Sequence, residues 1–164
     1  MTDDNSMTDY RVIIAGSRSF NDYALLREHC LSILQEKMKT HRVIIVSGHA
    51  RGADSLGERF ANEFRLPFEL HPAKWRLLGK AAGMVRNAEM AKCSDALIAF
   101  WDGKSRGTGH MIKFARRNGL DISILDYTRI KAGNITIASP LPSKPVVQSL
   151  DDIKQKTSNT SFKR

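Results

Sequence analysis

The sequence predicts an α/β protein built on a doubly wound, all-parallel five-stranded sheet with helices on both faces. Three observations carry that expectation. Five short apolar runs rich in β-branched residues alternate with four stretches whose apolar residues recur at helical spacing. The runs read as strands buried on both faces rather than half-exposed ones. Three of them end in turns made of glycine, hydroxyl residues and arginine, the chemistry of the βα corners on which such sheets build ligand sites.

The first run, Tyr10–Ala15, ends in Gly16-Ser17-Arg18-Ser19. Asn21 or Asp22 then caps a helix with Tyr23, Leu26, Cys30, Ile33, Leu34 and Met38 on one face. The second run, Val43 to Val46, stops at Ser47-Gly48 and leads through Arg51 and Gly52 into an amphipathic stretch carrying Ala53, Leu56, Phe60 and Phe64. Unpartnered N–H groups in the first turn of such a helix favour a nearby anion, and glycine lets a ligand approach the backbone. A simple cap by Asp54 or Ser55 accounts for part of this corner, but not for Arg51 between two glycines. Pro67–His71 is the third strand. Pro72–Ala82 is irregular and reads as a functional loop over the sheet edge, with Trp75 as a stacking candidate. A helix from Gly83 to Cys93 is expected to place Met84, Ala88 and Ala91 inward. Asp95–Trp101 is the fourth strand, followed by the turn Asp102–Gly107 and a helix lined by Thr108, Met111, Ile112 and Ala115. Gly119 ends that helix, and Asp121–Asp126 is the fifth strand.

The chain has 164 residues, which suits one domain with a substantial core. Residues 1–9 are polar and expected to be flexible. Residues 128–164 hold three of the five prolines and +5 of the net charge of +9. They read as a basic tail, disordered or loosely docked, with Asn134–Ala138 as a short edge strand; the folded domain is then 10–127. Because much of the basic excess lies there, it is a weak signal for nucleic acid. No apolar run approaches the ~20 residues that cross a bilayer, and the acidic, polar start is unlike a secretory signal. Cys30 and Cys93 lie far apart without metal-ligand spacing, so neither a disulfide nor a metal site is expected, and a cytoplasmic setting is.

The phrase S-G-x-A-x-G-A-D (Ser47, Gly48, Ala50, Gly52, Ala53, Asp54) resembles the SLOG superfamily of Rossmann-like proteins, in its YspA-type, cpYpsA-related branch, over about Tyr10 to Tyr127. It is also similar to the Rossmann core of the DNA-processing protein DprA. The resemblance implies the strand order 3-2-1-4-5, with the topological switch between the first and fourth strands. The phosphoribohydrolase (LOG) branch pairs an arginine of M-x-x-R-K with the glutamate of P-G-G-x-G-T-x-x-E. Arg86-Asn87 resembles the first motif, with Gly83 where its methionine would be. Gly107-Thr108 resembles the second, with Met111 where its glutamate would be. Without that carboxylate, stabilising an oxocarbenium-like centre lacks its obvious agent.

The residues expected to bind phosphate or ligand are Gly16, Ser17, Arg18, Ser47, Gly48, Arg51, Gly52, Asp54, Arg86, Asn87, Asp102, Gly103, Ser105, Arg106, Gly107 and Thr108. Arg18, Arg51, Arg86 and Arg106 should converge on one crevice. Arg86, Asp102 and Glu89 are the catalytic candidates. His49 and His110, each beside a glycine, are candidate phosphate donors. The turns are neither the full G-x-G-x-x-G nor a Walker P-loop, so no tightly bound cofactor is expected. The preferred function is binding of a nucleotide or nucleotide-derived phosphorylated molecule, as a sensor or sequestering protein. A hydrolase of a nucleotide N-glycosidic or phosphate bond is one alternative, and a DprA-like nucleic-acid module a less favoured one. A membrane partner is not expected, and self-association is left open.

Overall fold

The computed structural model describes residues 6–131; the features expected at 1–5 and 132–164, including the 134–138 strand and most of the tail, lie outside them. The five strands are β1 (Asp9–Gly16), β2 (Arg42–Ser47), β3 (Phe68–Leu70), β4 (Ala96–Trp101) and β5 (Asp121–Asp126). All pair in parallel, in the order 3-2-1-4-5. The connecting helices are α1 (Tyr23–Thr40), α2 (Ala53–Glu63), α3 (Trp75–Leu78), α4 (Ala82–Cys93), α5 (Arg106–Arg117) and α6 (Tyr127–Lys131).

The two-residue period of β1 divides the core. Val12 and Ile14 face α1 and α2 with Leu26, Cys30, Leu34, Phe60, Ile98 and Phe100, whereas Ile13 and Ala15 face α4 and α5 with Met90, Leu97, Ala99, Met111 and Ile112. All of these are buried, and full burial of each of the Val, Ile, Leu, Met and Phe side chains among them stabilises by ~1.5–3 kcal/mol. Leu26, Cys30 and Leu34 recur every fourth residue, which puts them on one stripe of α1. Asp22, the alternative to Asn21, caps that helix by accepting the Leu25 N–H at 3.0 Å.

The inward face of α4 differs from the expected one. Ala82, Asn87, Met90 and Ala91 are buried, while Met84 is 47% exposed. The segment from Pro72 is not a bare loop: it holds α3 and a 3₁₀ turn (Gly79–Ala81) that run straight into α4. Their phase is set by that entry and by Asn87, whose side chain turns inward to α5. The third strand is shorter than expected because only Phe68–Leu70 pairs with β2. Past Tyr127, the last residue assigned to the domain from sequence, the chain continues into α6. Tyr127 is buried against Phe20, ring centroids 4.9 Å apart, and Ile130 packs partly on the same core.

Register positions the site. Gly16 of β1 lies opposite Phe100 of β4, and the Ser17 N–H donates to the Phe100 carbonyl at 3.0 Å. The loops after these two central strands therefore leave the sheet side by side. Phe20 stacks on Phe100 at 4.9 Å and pins the first loop to the core.

Candidate functional site

Three loops meet above the carboxyl ends of β1, β2 and β4 and enclose two adjoining cavities. The first, about 430 Å³, has walls from the loop after β1, the starts of α2 and α5, and α4, including Ser17, Asp54, Asn87, Asp102, Ser105 and Thr108. Met90 and Met111 line the same cavity and are buried in the core beneath the helices. The second, about 340 Å³, lies between the corner Gly48–Arg51, Pro72-Ala73 and Trp75. Arg18, Ala50 and Arg86 line both.

Close packing of backbones makes this arrangement possible. Gly52 opens α2 with φ of +81°, a left-handed conformation that glycine adopts freely. A Cβ there would also lie 2.7 Å from the Arg18 Cα, so the β1 loop and the α2 start touch main chain to main chain. At Gly48 a side chain would lie 2.7 Å from Asp54 Oδ2, in space taken by Arg86 and Asp54.

Arg86 is the centre of the network. Its Nη1 donates to the Gly48 carbonyl and its Nε to Asn87 Oδ1 at 2.9 Å. Asn87 Nδ2 donates to the Gly107 carbonyl at 3.1 Å, joining α4 to the start of α5. Burial lowers the Arg86 pKa, nearby Asp54 opposes that, and the like charge of Arg18 lowers it further. Asp54 is 5% exposed, and burial raises its pKa to about 6, against the attraction of Arg86. Asp102 behaves in the opposite way. Its Oδ1 accepts the N–H groups of Ser105 at 2.7 Å and Lys104 at 2.9 Å, and these hold its pKa below the usual carboxylate range. It shapes the turn before α5, as an acceptor from backbone rather than a proton donor.

The expected site residues divide into three groups. Gly16, Ser17, Arg18, Asp54, Arg86, Asn87, Asp102, Ser105, Gly107 and Thr108 line the first cavity, and Gly48 and Arg51 line the second with Arg18 and Arg86. Gly52 and Gly103 line neither; both have positive φ and form the turns. Ser47, Arg106 and Glu89 are also outside both cavities. Ser47 is fully buried, with its Oγ donating to Glu58 Oε1 at 2.7 Å and accepting the His49 N–H at 3.0 Å. Glu89 is exposed on the outer face of α4, and Arg106 is exposed at the start of α5. Three of the four arginines thus gather and Arg106 does not. Asn87 is committed to Arg86 and Gly107 rather than open for reading a base.

Nothing local in the sequence points to Glu58, because its link to Ser47 and His49 spans the β2–α2 corner and leaves no pattern along the chain. His49, with φ of +55°, lines the second cavity, while His110 lines neither. Trp75 is 51% exposed on the second cavity's rim, and Trp101 packs on the core with its Nε1–H donating to the Ser105 carbonyl at 3.0 Å. The fold also brings Glu69, His71 and Cys93 together, ligand atoms within 4.8 Å, which the cysteine spacing did not suggest; Glu69 there already pairs with Arg11 at 3.2 Å.

An open α/β sheet with its crevice at the β1/β4 switch point defines the class: a Rossmann-like α/β fold. The chain belongs to the YspA, cpYpsA-related SLOG family, whose family model (YAcAr) matches residues 10–77. It is similar to the Gene 61 protein of Mycobacterium phage D29, 35% identical over 118 residues, which cover 68% of this chain and 93% of that protein. Among solved structures, the DNA processing protein A (DprA) of Streptococcus pneumoniae matches with a TM-score of 0.55 at 18% identity, over 77% of this chain and 57% of that one. This chain therefore spans little more than half the length of that DprA. The protein TM1055 matches with a TM-score of 0.52 at 16% identity, over 82% of this chain and 86% of its own. At these identities the two structures speak for the fold. Among the described residues no helix is long and apolar enough to cross a membrane.

Proposed function

We propose that this protein binds a nucleotide or nucleotide-derived phosphorylated molecule, with phosphate held between Arg18, Arg86 and the first turn of α5. The observation that carries this reading is the Arg18–Arg86 pair. Both residues line both cavities, Arg86 lies beside Asp54, and Arg18 has no hydrogen-bond or ion-pair partner among the described residues. An anion between them would meet two positive charges, and the α5 start, lining the first cavity through Ser105, Gly107 and Thr108, adds backbone donors from a 12-residue helix. Binding of this kind, taken alone, suits a cytoplasmic sensor or sequestering protein. Met111 lines the first cavity, and the motif resemblance to the phosphoribohydrolases sets it where their glutamate would be, so base release from the ligand is not part of this reading.

Native mass spectrometry of the purified protein tests for a co-purified nucleotide, and calorimetry with nucleoside monophosphates measures affinity. Arg86→Ala should weaken binding ten- to a hundredfold, since a charge-assisted hydrogen bond contributes ~1.5–3 kcal/mol. Full affinity in that variant would remove the phosphate position. A second reading, single-stranded nucleic acid, is favoured by exposed Trp75 among Lys74, Arg76, Lys80 and Arg51. Salt separates the two: affinity for an oligonucleotide should fall steeply with ionic strength, whereas a monophosphate should respond less.

A further inference from the structure

We infer that His49, held by Glu58, is the acid–base residue of the second cavity and hydrolyses a nucleotide phosphomonoester whose phosphate lies at the Arg18–Arg86 wall shared by the two cavities. The inference rests on reading the Arg18–Arg86 wall as the phosphate position, and goes beyond it by assigning chemistry.

Glu58 Oε1 accepts two hydrogen bonds, from the buried Ser47 Oγ at 2.7 Å and from His49 Nδ1 at 3.0 Å. A carboxylate only accepts, so Nδ1 carries the ring proton and the lone pair of the neutral ring lies at Nε2. That nitrogen has no partner within hydrogen-bond distance among the described residues. Ser47 is no nucleophile here. It is fully buried, and the His49 group that it meets is the backbone N–H rather than the ring. It fixes Glu58, and Glu58 fixes the ring. His49 also has φ of +55°, a backbone conformation that costs a non-glycine residue energy and is found at sites where the surroundings enforce a side-chain position. The enforced position is on the wall of a cavity that also presents Arg18, Arg51, Arg86 and Trp75. An oriented imidazole beside three arginines places a base next to a phosphate, and Trp75 offers a surface for the nucleoside.

In the step, Nε2 takes a proton from a water molecule. The water oxygen forms a bond to phosphorus as the ester P–O bond breaks, with the arginines balancing charge on the phosphoryl oxygens. The leaving nucleoside oxygen takes a proton from solvent, and the imidazolium returns its own to solvent. Nucleoside and inorganic phosphate are the products.

The test measures inorganic phosphate released from nucleoside 5′-monophosphates and from p-nitrophenyl phosphate, with binding of the monophosphates measured in parallel. His49→Asn is the principal variant, because asparagine tolerates the left-handed backbone and should keep the fold. It should lose on the order of a hundredfold or more in kcat with KM little changed. Glu58→Gln, which positions the ring rather than touching substrate, should also lose kcat while keeping KM. Glu89→Gln, outside both cavities, should match wild type. Activity equal in wild type and His49→Asn would show that His49 does not carry the reaction and overturn the inference. So would tight binding without phosphate release, which leaves the nucleotide-binding reading standing; absence of binding would bring down both.

Discussion

The two ends of the sheet treat charge differently. At the amino ends of the strands the charged groups have partners nearby. Asp9 lies between Arg11 at 3.5 Å and Arg42 at 3.3 Å, Arg11 also reaches Glu69 at 3.2 Å, and Asp95 accepts the Arg11 N–H at 2.9 Å. Tyr10 donates to Asp121 at 3.2 Å, and burial beside that carboxylate raises its pKa. At the carboxyl ends, Arg18, Arg51 and Arg106 have no hydrogen-bond or ion-pair partner among the described residues, and Asp54 is buried with its pKa raised. Paired charges at one end are screened and contribute little either way. At the other end the buried Asp54 costs stability when ionised, the exposed arginines keep their hydration, and such groups cluster where a ligand completes the arrangement.

The largest expected effect comes from removing that cost. The Asp54 carboxyl, ordinarily titrating at 3.8, is pushed up to about 6 in the folded chain. The folded state therefore holds the proton more tightly. Its contribution is complete below about pH 4 and is lost as pH rises through about 6. Asp54→Asn keeps the site neutral at every pH, so the variant should exceed wild type by up to about 3 kcal/mol at pH 8. The gain should vanish near pH 4; a difference independent of pH in denaturant titrations would mean that Asp54 titrates normally.

The next effect contrasts the two ends directly. Arg18→Ala should reduce affinity for a nucleoside monophosphate about tenfold or more, with folding stability unchanged or slightly raised by the loss of repulsion toward Arg86. Arg11→Ala should do the reverse at smaller scale: unchanged affinity in calorimetry and a loss of ~1 kcal/mol or less, because its partners are partly exposed. Equal effects of both variants on binding would erase the distinction between the ends.

Much of the fold is legible along the chain because its signals are local. The apolar runs at Tyr10, Val43, Asp95 and Asp121 need only their own composition to read as buried strands, and Leu26, Cys30 and Leu34 only their spacing. The face of α4 is not legible in the same way. Asn87 is polar, and only the carbonyl of Gly107, twenty residues on, makes it an inward residue. Ser47 reads as a phosphate ligand for the same kind of reason: its hydroxyl follows a strand into a glycine turn, and the partner that claims it, Glu58, is a full turn inside the next helix.

By itself, the sequence determined the strand–helix alternation, the glycine turns and the presence of arginine and hydroxyl groups at three strand ends. These depend on periodicity and on backbone conformations that few residues adopt. Only the tertiary structure decided which of those groups share a cavity. That Arg18 faces Arg86 across two shared walls, that Arg106 turns away and that Glu58 holds His49 are consequences of strand order and helix phase. A parallel sheet brings together residues separated by tens of positions, and the direction of each side chain there is set by packing rather than by its neighbours in sequence.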